Sequence, residues 1–168
     1  MTSQPAIPGL TVRDQATGSG AVCRKILDAL PEWFGIPEAN ADYVAFADAA
    51  PSVIASLEGE DVGLLTLQLH SPYAAEVHLM AVLPEHHRKG IGRTILQHAE
   101  LRLAERSVEY LQVKTLSEKR PDPNYDKTRL FYLAQGFRPL EEFPTLWDPA
   151  NPALQLIKAL PRPSTTRL

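Results

Sequence analysis

Residues Val82-Leu83-Pro84-Glu85-His86-His87-Arg88-Lys89-Gly90-Ile91-Gly92-Arg93 combine basic side chains, two closely spaced glycines and a change of periodicity. An alternating apolar segment leads in, Pro84 interrupts it, and a helical pattern follows Gly90. Glycines at 90 and 92 let the main chain approach a ligand, because no Cβ stands in the way. The first amides of a helix lack internal partners and lie at the positive end of its dipole. Such a corner holds phosphates and pyrophosphates through backbone N–H groups. The same residues would also suit a tight strand-to-helix turn with a solvated basic face. A Walker A loop is excluded, since no Gly-Lys-Ser/Thr triplet follows, and a dinucleotide fingerprint lacks its third glycine.

The stretch leading into this loop, Glu76-Val77-His78-Leu79-Met80-Ala81-Val82, carries titratable groups. In a regular strand residues 76, 78 and 80 share one face, and Val77, Leu79 and Ala81 form the core face. A carboxylate beside an apolar strand is partly desolvated, which would raise its pKa toward a useful value for a base. Glu76 is therefore a candidate base, with a solvated strand glutamate as the plain alternative. His78 and His70 are its rivals, because an imidazole needs little tuning to take a proton near neutral pH. His86 and His87 read as loop residues, and the histidines form no compact ligand cluster, so no metal is expected.

The loop resembles the acyl-CoA-binding motif of the GNAT superfamily of N-acetyltransferases, Gln/Arg-x-x-Gly-x-Gly/Ala. Aligned on Gly90 and Gly92, the Gln/Arg position holds His87, a departure in a motif that acts mainly through backbone amides. Downstream, Phe131-Tyr132-Leu133-Ala134-Gln135-Gly136-Phe137 is similar to a second landmark of that family. The spacing between the two fits a helix, a strand and a second helix, and the resemblance covers most of residues 50–140. It implies acetyl-CoA as co-substrate, an amine acceptor and the GNAT fold. That fold is α/β, with a mixed, mostly antiparallel sheet, a splayed strand pair and flanking helices.

Forming an amide from a thioester requires a neutral amine, a stabilised thioester oxygen and a proton for the departing thiolate. By resemblance, Glu76 occupies the strand position of the base in related histone acetyltransferases, with His78 as the second catalytic candidate. Tyr132 is the candidate acid; its plain alternative is a packed helix aromatic, the role expected of Phe131. Main-chain groups of Met80, Ala81 and Val82 would receive the pantetheine arm and the thioester carbonyl, with Met80 N–H as oxyanion donor. His87, Arg88, Lys89, Gly90, Ile91, Gly92, Arg93 and Thr94 would hold the pyrophosphate. Asn124 could cap the helix that follows it; by resemblance it would contact the coenzyme, a slot that falls alternatively on Tyr125. Trp33, Phe34 and Tyr43 could line the acceptor site, with Glu32, Glu38 and Asp42 favouring a cationic amine; the alternative is a core-forming helix pair with a solvated acidic face. Cys23 lies in an expected helix and reads as buried, so direct attack in a ternary complex is expected. The acceptor is expected to be a small primary amine; a protein lysine or N-terminus, or acyl-CoA sensing without turnover, are the alternatives.

These groups must be carried by elements. Strands are expected at 10–13, 52–57, 62–69, 75–83, 109–116, 137–140 and 154–160. Helices are expected at 20–30, 38–46, 90–106 and 125–135, with Gly136 just beyond the last. Glu58-Gly59-Glu60-Asp61 reads as a hairpin turn. Ile91, Ile95, Ala99 and Leu103 line one helical face. Residues 140–149 read as a loop whose Trp147 caps the acceptor pocket, covers an open sheet or joins a homodimer.

A chain of 168 residues suits a single N-acetyltransferase domain, with its core over about residues 10–160. A net charge of −3 argues against a nucleic-acid binder. One cysteine excludes an internal disulfide and fits a cytoplasmic protein. No apolar run has a membrane span's length, Met1-Thr2-Ser3-Gln4-Pro5 does not resemble a secretory signal, and a frayed tail is expected over 161–166.

Overall fold

The computed structural model describes residues 6–162. The amino-terminal pentapeptide read against a secretory signal, and the tail from Pro163 onward, lie outside the described residues. Among the described residues there are seven strands and four α-helices, and the strands form a mixed, mostly antiparallel sheet. The chain divides into two compact units. One holds the residues up to Leu67 and Leu79–Ala99; the other holds Gln68–His78 and the chain from Glu100.

In the first unit, β1 (Leu10–Gln15), β2 (Ser52–Leu57) and β3 (Glu60–Leu69) pair antiparallel in chain order. The β2–β3 turn is two residues, with Glu58 at φ 50° and Gly59 at φ 87°. Two left-handed residues match the twist of the strands they join, which is why glycine serves here. Between β1 and β2 come α1 (Gly20–Asp28) and α2 (Pro37–Ala49). Ser19 precedes α1 without capping it by its side chain; Gly20 N–H donates to Asp48 Oδ1 of α2 at 2.7 Å. The helix α3 (Ile91–Glu105) begins in this unit, and Ile91, Ile95 and Ala99 are buried. Burying each Ile contributes about 1.5–3 kcal/mol. Gly63 of β3 makes their approach possible: a Cβ there would stand 2.6 Å from Ile95 Cδ1.

In the second unit, the first residues of β4 (Ala74–Val82) run parallel to β5 (Tyr110–Leu116). Their ladder covers Ala74↔Tyr110 through Val77↔Val113, although β5 continues to Leu116. Early loss of pairing between these two strands is the splay that the resemblance implies. Beyond β5, α4 (Pro123–Ala134) leads to β6 (Arg138–Asp148) and β7 (Asn151–Ala159); β7 pairs antiparallel with both β5 and β6. Gly136, at φ 94°, follows α4 as expected and turns the chain so that Phe137 is fully buried.

One expectation is corrected. Residues 140–148 are not a loop but the body of β6, joined to β7 by the turn at Pro149-Ala150. Pro139 and Pro144 obscured the strand, and register shifts between Pro139/Glu141 and Phe143/Asp148 show where the ladder absorbs the irregularity.

Candidate functional site

The glycine loop lies in the first unit. After β4, Pro84–His86 form a single 3-10 turn. His87 Nε2 lies 2.6 Å from the Val82 carbonyl oxygen and donates to it, so its ring folds back onto its own loop. Trp33 meets the ring edge-on, with centroids 5.7 Å apart. Arg88 at φ 61° and Gly90 at φ 85° place left-handed residues on either side of Lys89. Alternating conformations of this kind turn successive amides toward one concavity. The first turn of α3 starts at once, and Thr94 closes it by donating from N (3.0 Å) and Oγ1 (2.8 Å) to Gly90 O. Ile91, Gly92 and Arg93 supply the leading amides. Arg88 and Arg93 are exposed, and Lys89 with them. This geometry suits a pyrophosphate.

Also in the first unit, Phe34 and Tyr43 meet edge-to-face at 5.9 Å, and Asn40 Nδ2 donates to Phe34 O at 2.8 Å. Burial raises the Tyr43 pKa, with a smaller contribution from Cys23. Glu32, Glu38 and Asp42 are exposed, and Trp33 packs on His87. Cys23 is fully buried; desolvation above all raises its thiol pKa to about 11. A thiol held protonated in this way is a poor nucleophile.

The second unit holds a polar cluster centred on Glu76. Its side chain is 9% exposed. Lys114 Nζ lies 3.0 Å from Oε1 and 3.2 Å from Oε2. His70 Nε2 lies 2.5 Å from Oε2, and Gln112 Nε2 donates to the same oxygen at 3.4 Å. Gln155 of β7 donates in turn to Gln112 Oε1. Register explains the gathering: Glu76 stands opposite Gln112, and Lys114 opposite Gln155. Glu76 is thus as desolvated as the apolar strand suggests, but it is compensated by an ammonium group. His78, half-buried on the same strand, has its pKa lowered chiefly by desolvation; Glu76 opposes that shift, while Lys114 and His70 add to it. Lys114, Gln112 and Gln155 escaped the sequence analysis. Their polar side chains at alternate strand positions were the available signal.

Tyr132 is 4% exposed, edge-on to Phe131 at 5.2 Å and to Phe137 at 5.3 Å. Burial alone raises its pKa strongly. Burial thus opposes the phenolate and keeps the hydroxyl protonated. Asn124 does not cap α4. Asp122 does, its Oδ1 accepting from Asn124 N (2.9 Å) and Tyr125 N (3.2 Å). The Asp-Pro pair at 122–123 is the signal that marks the cap. Asn124 sits one residue into the helix, half-exposed.

Among the described residues no His, Cys, Asp and Glu groups are placed to hold a metal ion, and no helix is long and apolar enough to cross a membrane.

The family model of the acetyltransferase (GNAT) domain matches residues 48–139. No curated protein matches. Solved structures match over nearly their whole length. A protein of Desulfovibrio desulfuricans assigned to the GNAT family superposes with a TM-score of 0.79 at 15% identity, covering 90% of this chain and 99% of that one. The ribosomal-protein-S18-alanine N-acetyltransferase of Escherichia coli gives 0.71 at 17%, covering 95% and 99%. A GNAT family acetyltransferase of Elizabethkingia anophelis with acetyl-CoA bound gives 0.70 at 16%, covering 92% and 100%. At these identities the likeness shows the fold.

Proposed function

This chain belongs to the GNAT family of acetyltransferases, and from that premise we propose that it transfers the acetyl group of acetyl-CoA to a primary amine of a small molecule. The family match, which runs through segments of both units, carries the reading and favours one functional domain. The loop from His87 to Thr94 would bind the coenzyme's pyrophosphate, through its amides and the charges of Arg88, Lys89 and Arg93. Main-chain groups of Met80, Ala81 and Val82 would take the pantetheine arm and the acetyl carbonyl, and Asn124 would contact the coenzyme from α4.

Deprotonation of the amine would depend on Glu76 and its neighbours, with His78 as the second candidate. Tyr132 would protonate the departing thiolate. A buried, protonated Cys23 supports direct attack over an acetyl-enzyme. The exposed acidic residues Glu32, Glu38 and Asp42 favour a cationic acceptor. We place the protein in the cytoplasm, and we read the exposed Leu146 and Trp147 on β6 as the contact of a homodimer.

Acetyl-CoA consumption with a panel of amino acids, polyamines, aminoglycosides and lysine peptides tests this reading. Turnover with a small amine is expected. Turnover confined to peptides would move the acceptor to protein. Tight coenzyme binding without consumption would make the chain a sensor.

A further inference from the structure

Glu76 is surrounded by hydrogen-bond donors on the second unit's sheet. A carboxylate offers about four acceptor sites, and here Lys114 approaches both oxygens while Gln112 and His70 share one. Little of this carboxylate is left for an incoming amine, and its 9% exposure gives it poor access to water. The His70 side chain is 36% exposed. Its backbone is held in a tight turn, where His70 N donates to Ala74 O at 2.9 Å and Ser71 Oγ accepts from Tyr73 N and Ala74 N.

We propose that His70 Nδ1 is the proton acceptor for the attacking amine, and that Glu76 is the residue that positions it. This deepens the acetyltransferase reading and rests on it. An ionised carboxylate only accepts, so Nε2 carries the hydrogen in the 2.5 Å contact and Nδ1 keeps its lone pair. As the amine nitrogen bonds to the acetyl carbon, its proton passes to Nδ1. The carbon–sulfur bond then breaks, the thiolate takes its proton from Tyr132, and the phenolate regains one from water. The imidazolium is paired with Glu76 and returns its proton to water through the exposed side of the ring. Lys114 balances Glu76 while His70 is neutral.

Among the described residues, His78 of β4 and Lys114 of β5 interact electrostatically with this cluster. His78 is the poorer acceptor, because its burial opposes the charged form that a base must adopt.

Two measurements decide the assignment. Nitrogen-15 NMR of the histidine rings reads the tautomer without any acceptor. The Nε2–H form of His70 is expected in the wild type, with loss of that preference in Glu76→Gln. An Nδ1–H ring, or one indifferent to Glu76→Gln, overturns the proposal. The second measurement is acetyl-CoA consumption with the best amine of the panel. His70→Gln keeps an amide that can donate to Glu76 but has no basic nitrogen. It should lose roughly 10²-fold or more in kcat/KM and keep its acetyl-CoA affinity. A near wild-type His70→Gln beside an inactive Glu76→Gln would make Glu76 the acceptor instead. His70→Asn serves as the second variant if the first melts early. A wild type that neither binds nor consumes acetyl-CoA would defeat the acetyltransferase reading, and the NMR result would still judge the pair.

Discussion

At the scale of single residues, environment assigns roles that residue type leaves open. Glu76→Gln removes the charge that holds Lys114 and His70 together. Turnover should fall roughly 10²-fold while acetyl-CoA affinity, measured by calorimetry, stays within a few-fold. The buried phenol of Tyr132 makes a separate test. Tyr132→Phe keeps the ring between Phe131 and Phe137, so stability should change little. Its hydroxyl matters only while the carbon–sulfur bond breaks. Turnover should therefore drop, and thioesters with more acidic thiols should narrow the gap between Phe and Tyr. A gap that stays constant across such a series would leave Tyr132 as a packing aromatic.

At the scale of elements, the glycine loop and its helix act together. Gly90 adopts φ 85°, so Gly90→Val adds backbone strain to any obstruction of the ligand. Gly92 lies within the first turn of α3, which makes Gly92→Val the cleaner probe. Calorimetry should show a large loss of acetyl-CoA affinity in a variant that still melts cooperatively. A second element-level test concerns the β2–β3 hairpin. Arg13 of β1 donates to Asp61 at 2.8 Å and 3.1 Å, and Ser56 donates to the same carboxylate at 2.5 Å. The hydrogen bond from Arg13 is the largest cause of the lowered Asp61 pKa. A carboxyl whose folded pKa is depressed adds stability above its unfolded value, about 3.9, and that stability disappears as pH falls through the folded value. Asp61→Asn should therefore lower stability near neutral pH, by about 1 kcal/mol or less for so exposed a pair. The difference from wild type should shrink in denaturant titrations run at progressively lower pH.

At the scale of the whole molecule, the coenzyme should act as a stabilising ligand. Binding to the folded state alone adds about 2.7 kcal/mol at a hundred times Kd. For a chain of this size that corresponds to a Tm increase of about 5–10 °C. Acetyl-CoA should raise the wild-type Tm in this range and leave Gly92→Val unmoved. An equal shift in both would place the coenzyme away from the α3 loop. The edge strand β6 carries the second test, because Leu140, Leu146 and Trp147 are each about half exposed. If that surface joins two copies, Trp147→Glu should convert a dimer into a monomer in sedimentation.

Short-range signals were legible in the sequence. The β2–β3 turn, the buried face of Ile91, Ile95, Ala99 and Leu103, and the glycine after α4 all appear where composition placed them. Each depends on neighbours in the chain or one helical turn away, so a linear reading reaches it. The conformation of the glycine loop belongs to the same class, since left-handed Gly90 and the start of α3 are set by consecutive residues. What surrounds Glu76 depends instead on strand register. Lys114, Gln112 and His70 reach its carboxylate because a parallel ladder sets Glu76 against Gln112 and a turn brings residue 70 back beside residue 76. No local pattern encodes those meetings. The sequence by itself determined the glycine turn that leads into α3 and the order of the elements; only the tertiary structure decided which polar groups gather around Glu76, because contacts across strands are set by pairing and not by proximity in the chain.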